Sequence, residues 1–548
     1  MRRNRLAKLT WLAAGLTVAW AASAGAALPR TNPDSVRVRV ELRSGQLFAT
    51  ARLSYAASAA GAEAAFLLGV DFGVDSVRGT TGPLAWSEQT APPAAGQAAA
   101  RRVIVPLPPP AAGAAERPRV RFTVSYHGAP PAPDPWALRL DPRQGCLPIA
   151  PGAAPWWVIE LPGCDPASVG GAGRAVDDEA GGAVVAVPLP CVCPCLVVSR
   201  DGPLPWRAST AGDATALACL AAEPGADAGP LARRALRLLA WAERAWGPWP
   251  WQRLLVVADA DPAAAPRSWP GLIELPASAR ADTSLAADVA LLHELLHGWF
   301  GLAVRAPAQG DWSEGLCALL ADHDLRAHAD PAAAATFRHG LLWQFTQLAG
   351  GPRDVPLADC PAADPASAPL TYGKGLFFQL ALRREVGAER FHAGWRELLA
   401  RRRGAAATWA DVYACLAVPG DTRLAPLFGA WLEQTGAPRF EIREAGYDRS
   451  RREVRLTVAQ LVSRPTSRGL RQRSPWPLRL PIQPAGSSAP AVWVVMDHTE
   501  ATWRLPVDPR PSAILVDPQW EVFRLIEGDG RLAAPINGSA PAPARDRR

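Results

Sequence analysis

The 548-residue sequence predicts a multidomain α+β protein: an N-terminal β domain, a mainly helical middle and a small C-terminal β domain. Three observations carry this. Strand-like alternation dominates both ends, as in Val36-Arg37-Val38-Arg39-Val40-Glu41-Leu42 and Val454-Arg455-Leu456-Thr457-Val458. Helical spacing of apolar residues begins near Pro230 and runs to about Gly436. Apolar residues make up 49% and charged residues 20%, a balance that excludes a disordered chain.

The first segment, residues 1–27, reads as an export signal. Arg2, Arg3, Arg5 and Lys8 precede an apolar stretch over residues 11–22, and Ala22-Ser23-Ala24 and Ala24-Gly25-Ala26 offer cleavage sites. The alternative is an uncleaved anchor over residues 9–28. Either version places the body outside the cytoplasm, in the periplasm or secreted. No second apolar run is long enough to span a bilayer. Four of the cations behind the net charge of +7 lie in that first segment, so no basic footprint for nucleic acid is left. Six of nine cysteines fall between Cys146 and Cys219, which suits an oxidising compartment and permits three bridges in 15 pairings. Cys191-Val192-Cys193-Pro194-Cys195 could also suggest a soft metal site, but no Cys-x-x-Cys accompanies it.

Residues 28–210 form the expected N-terminal β domain, with Arg119-Val120-Arg121-Phe122-Thr123-Val124 as a second alternating strand. Residues 211–437 follow as the central domain. There Leu231, Ala235, Leu238, Leu239 and Trp241 mark a helix ending at Gly247-Pro248, and Leu254-Leu255-Val256-Val257 reads as a strand. Residues 438–527 alternate again, in Val492-Trp493-Val494-Val495 and Ala513-Ile514-Leu515-Val516. Residues 528–548 read as a loose tail.

The chemistry is concentrated in Leu291-Leu292-His293-Glu294-Leu295-Leu296-His297. Two histidines four apart project from one helix face and can bind one zinc ion, while Glu294 can reach the attacking water as general base. Asp282-Thr283-Ser284 supplies an N-cap for that helix. A buried glutamate with no partner would be costly, which argues against two ordinary core histidines. Glu314, in Asp311-Trp312-Ser313-Glu314-Gly315, is the candidate third ligand; the sixteen residues after His297 suffice to end one helix, turn, and begin another capped at Asp311. The alternative is a first-turn glutamate that favours the helix dipole.

The combined motifs resemble the gluzincin metallopeptidases of the aminopeptidase N family. The resemblance rests on HExxH followed by Trp-x-Glu-Gly, on His297-Gly298-Trp299-Phe300-Gly301, and on Thr371-Tyr372-Gly373-Lys374-Gly375. Trp431-Leu432-Glu433-Gln434-Thr435-Gly436-Ala437-Pro438 is similar to the family's closing motif, and Trp246-Gly247-Pro248-Trp249-Pro250 to its opening one. Gly387 and Phe391 also match. Lys374 is one of only two lysines in a chain that otherwise uses arginine. The resemblance covers residues 240–442 closely and the flanking β domains in order only.

It implies a thermolysin-like catalytic domain, a sandwich-like C-terminal domain, one Zn²⁺ per chain, and peptide substrates. It further implies that Tyr372 donates to the oxyanion, and that Glu274 with Gly271, in Gly271-Leu272-Ile273-Glu274-Leu275, binds the substrate's free amine. Two departures stand out. The spacing from second histidine to glutamate is sixteen where the family has eighteen, and the family's Met and Asn around the amine-binding glutamate are Ile273 and Leu275. The expected activity is removal of N-terminal residues from peptides. The alternatives are a zinc endopeptidase and a binding protein whose catalysis is vestigial; the intact Glu294 argues against the last.

Overall fold

The computed structural model describes residues 33–538 except 44–45, 57–62, 92–98, 108–118, 130–136, 141–144, 151–152, 193, 201, 209–215, 222–226, 259–264, 362–364, 421 and 462–474. The expected export signal lies outside the described residues. The protein is mixed α+β, with a β-rich N-terminal region, a helical middle and C-terminal β sheets. It divides into two compact units: one runs to Ala308 and includes Leu399–Ala407, the other takes in most of the remaining helices and the C-terminal sheets.

In the first unit, the strand Pro33–Arg43 buries Val36, Val38 and Val40 and turns Arg37 and Arg39 outward, as its alternation requires. It pairs antiparallel with Gln46–Ala56 and parallel with Trp156–Leu161 inside an eight-stranded sheet. The strand Arg119–Gly128 lies in the same sheet.

A separate five-stranded sheet precedes the helix that bears His293 and His297. Its strands Ala216–Ala221, Arg253–Ala258 and Leu272–Leu275 are parallel, and the short strands Arg207–Ala208 and Arg267–Trp269 close its edges antiparallel. Helix α1, Gly229–Trp246, connects the first two parallel strands, the crossover that a parallel pair needs. Leu255, Val257, Trp269 and Leu272 on one face pack with Ala137, Cys195 and Val197 in a single apolar cluster.

Helix α2, Leu285–His297, follows this sheet in the chain. Residues 291–297 of α2 are all buried, His293, Glu294 and His297 included, so the C-terminal half of the helix is enclosed, whereas Leu285 and Ala286 at its start are exposed.

In the second unit, α3 (Ser313–Cys317), a π-helical turn (Ala318–His323) and α4 (Asp324–Ala329) run on without a break. Helix α5 (Pro331–Leu348) follows, then a second π-helical turn (Pro369–Lys374) leads into α6 (Gly375–Val386). The chain continues through α7 (Ala388–Arg402), of which residues from Leu399 on belong to the first unit, then through α8 (Trp409–Leu416) and α9 (Leu424–Glu433) in the second. Two four-stranded sheets complete the unit among the described residues. Its aromatic core stacks Phe378 on Trp431 at 5.3 Å and sets Trp476 edge-on to Trp431.

Two expectations change. Leu532–Pro535 and Asn537–Gly538, placed by sequence in a loose tail, pair with Ala513–Val516 and Arg439–Asp448. Their alternation is too short to stand out, and the partner strands supply the order. No disulfide joins any two of the eight described cysteines. Cys195 sits in the apolar cluster, and burial pushes the Cys191 thiol above its ordinary pKa, so these cysteines pack as small apolar side chains. Among the described residues no helix is long and apolar enough to cross a membrane.

Candidate metal centre

Helix α2 begins at Ser284, whose hydroxyl oxygen accepts from the Ala287 N–H at 3.3 Å, while Asp282 accepts from the Ser284 N–H at 2.8 Å. The expected cap is therefore a relay of two side chains. The helix ends at His297, where Gly298 is obligatory: a Cβ there would lie 2.1 Å from the Trp249 ring. Trp251 donates its indole N–H to the Gly298 carbonyl at 3.0 Å, and Trp249 meets Trp299 edge-on at 5.0 Å. The tryptophans of residues 246–251 thus clamp the end of the helix that carries the histidines.

Four residues apart, His293 and His297 bring their Nε2 atoms to 3.2 Å. His297 Nδ1 lies 3.1 Å from the Phe300 carbonyl, which can only accept, so Nδ1 carries the proton and Nε2 presents its lone pair. Two nitrogens each about 2.0–2.1 Å from a tetrahedral zinc ion stand about 3.3 Å apart. The observed separation fits two ligands of one ion. Glu314 completes the group: one ligand atom from each of His293, His297 and Glu314 lies within 4.8 Å of the others, and all three residues are buried. These three residues could hold a metal ion.

Glu314 is the second residue of α3. The N-cap of α3 is Trp312, without a side-chain cap, and not Asp311 as expected; Asp311 lies one residue earlier and accepts from the Ser313 N–H at 2.7 Å and from the Ser313 hydroxyl at 2.6 Å. Glu294 is buried one residue along from His293, and its side chain meets a residue that sequence reasoning missed. The Ser268 hydroxyl lies 2.5 Å from Glu294 Oε2 and 2.7 Å from the Glu294 carbonyl oxygen.

Tyr372 lies in the π-helical turn Pro369–Lys374 and is half-buried. Lys374 is fully buried and donates to the Gln434 carbonyl at 2.6 Å, with its ammonium 5.2 Å from the Trp476 ring centre. Burial pushes the Lys374 ammonium down to about 8, an effect that the nearby Asp354 opposes. Asp354 also accepts from the Gly436 N–H at 2.9 Å. The Tyr-x-Lys-Gly and closing motifs are therefore joined through Lys374 and Gln434.

Glu274 is buried in an inner strand of the sheet. The edge is Arg267–Trp269, and Leu272–Leu275 lies between it and Arg253–Ala258. Its carboxylate accepts from Arg139 Nη1 at 2.6 Å and from the Trp269 indole at 3.2 Å. By alternation Glu274 shares a face with Leu272 and Trp269, whereas Ser268, which touches Glu294, points to the other. Arg139 was not singled out in the sequence. A signal existed, because it interrupts the apolar run Ala137-Leu138-Arg139-Leu140 and a buried guanidinium requires a carboxylate. Gly271 turns the hairpin at φ +70, and a Cβ there would lie 2.2 Å from the Gly171 carbonyl oxygen.

A comparison with models of known protein families finds none that matches the chain, and a comparison with curated proteins finds no match.

Proposed function

We propose that the protein is an exported zinc metallopeptidase. The observation that carries this reading is the 3.2 Å separation of the two histidine Nε2 atoms, with Glu314 in the same buried group and Glu294 beside it. The resemblance to the aminopeptidase N family supports it, and with it a thermolysin-like reading of the helical region and a sandwich-like reading of the C-terminal sheets. His293, His297 and Glu314 would hold a zinc ion, which when bound would supply Lewis acidity for the hydrolysis. Glu294 takes the proton from the attacking water and delivers it to the leaving amine. Tyr372 donates a hydrogen bond from its hydroxyl to the developing oxyanion.

Release of N-terminal residues would require Glu274 to hold a free ammonium. The 2.6 Å ion pair with Arg139 favours a second reading, an endopeptidase, because a guanidinium already fills the place of that cation. A panel of fluorogenic peptides with free and acetylated N-termini, assayed with and without chelator, tests both. Chelator-sensitive cleavage supports the metallopeptidase, and the ratio between the two sets of peptides separates exopeptidase from endopeptidase.

A further inference from the structure

We infer that Ser268 is a positioning residue for Glu294. The inference rests on the metallopeptidase reading for its catalytic consequence, though not for its structural one. Ser268 is the middle residue of the edge strand Arg267–Trp269 and is buried. Its hydroxyl lies 2.7 Å from the Glu294 carbonyl oxygen and 2.5 Å from Oε2 of the same residue. The hydroxyl has one proton, shared between these two acceptors or alternating between them, and so it holds the Glu294 carboxylate beside its own backbone.

A glutamate side chain has three rotatable bonds, and each is free to leave a productive geometry unless something holds it. Fixing Oε2 sets the direction in which Oε1 points, and so sets where a proton can be collected. The edge strand is itself held in register, with Ser268 opposite Ile273 and Trp269 opposite Leu272. Its neighbour Trp269 is anchored in the apolar cluster. The sheet thus acts as a rigid support whose outermost residue orients a helix side chain, the kind of supporting shell that general-base catalysis needs. A serine is the smallest residue that does this: alanine has no hydroxyl, and threonine keeps it.

The test compares wild type with Ser268→Ala and Ser268→Thr in the full-length, zinc-reconstituted protein. The first readout is crystallographic. We expect Glu294 Oε2 to stay within hydrogen-bond distance of residue 268 in wild type and in Ser268→Thr. In Ser268→Ala the carboxylate should occupy a different rotamer or more than one. The second readout is kinetic. Ser268→Ala should lower kcat roughly ten- to a hundredfold with little change in KM, and Ser268→Thr should restore most of it. Zinc content should be equal in all three proteins, because the Ser268 hydroxyl bonds to Glu294, which is not one of the three candidate ligands. An unmoved, single-conformer Glu294 in Ser268→Ala overturns the inference, as does an unchanged kcat. Wild-type protein that binds zinc yet cleaves no peptide would refute the peptidase reading alone, since the crystallographic comparison still decides the role of Ser268.

Discussion

Gly315 and Gly375 are packed backbone to backbone: a Cβ on Gly315 would lie 2.5 Å from the Gly375 carbonyl carbon. One glycine follows Glu314 in α3 and the other opens α6 immediately after the turn that carries Tyr372. Their hydrogens let two helices approach more closely than any side chain permits. The glycine in Trp-x-Glu-Gly and the glycine in Tyr-x-Lys-Gly are thus two halves of one contact, and that contact fixes the separation of Glu314 and Tyr372.

Gly315→Ala should therefore destabilise the fold by about 1–3 kcal/mol, the usual cost of overpacking. Thermal unfolding checks this. A control substitution at Gly340, where a Cβ meets nothing within 4 Å, should cost nothing from packing. Equal stability for the two variants would refute the close contact.

His297→Ala should lose the metal. The wild type, reconstituted with zinc and freed of excess, should carry one equivalent per chain by elemental analysis. Less than about a tenth of an equivalent in the wild type would remove the metal centre from the account.

Glu274→Ala should cost about 3–5 kcal/mol, because it strands the buried Arg139 guanidinium without its carboxylate. In the wild type, acetylated and free-amine peptides should be cut at rates within about tenfold of each other. A free-amine preference of about a hundredfold or more, erased in Glu274→Ala, would restore Glu274 as an ammonium anchor.

Lys374 sets a pH dependence whose sign follows from its depressed pKa. Below about 8 the lysine is charged in both folded and unfolded chains, and the fold bears the cost of a buried ammonium. Between about 8 and the ordinary lysine pKa near 10.4, the folded chain releases a proton that the unfolded chain retains, so that cost shrinks as pH rises. The stability difference between wild type and Lys374→Met should accordingly move in favour of wild type from pH 7.5 to pH 9.5. A difference that is flat across this range would show that Lys374 is not neutralised on folding.

Local pattern made much of this legible in the sequence. The strand Pro33–Arg43 and the helix Gly229–Trp246 are written in alternation and in 3.6-residue spacing, and the structure has both where that spacing puts them. His293 and His297 needed only a helix to come together. Arg139 and Ser268 were hidden for a different reason. Arg139 meets Glu274 across 135 positions of sequence, and Ser268 meets Glu294 across 26, so neither pair follows from any local period. The partner of Glu274 was hidden for the same cause: a carboxylate in an apolar strand says that a cation is near but not which one. The π-helical turns also leave no periodic mark, since each is a single wide turn, Ala318–His323 between α3 and α4 and Pro369–Lys374 leading into α6.

The most direct measurement is hydrolysis of an internally quenched peptide by the zinc-reconstituted wild type and by Glu294→Gln, each with its zinc content determined. Turnover by the wild type should vanish with chelator and return with zinc. Glu294→Gln should keep its zinc and turn over at least about a hundredfold more slowly. Hydrolysis indifferent to chelator, or equal turnover in Glu294→Gln, would contradict a zinc peptidase that uses Glu294 as its base.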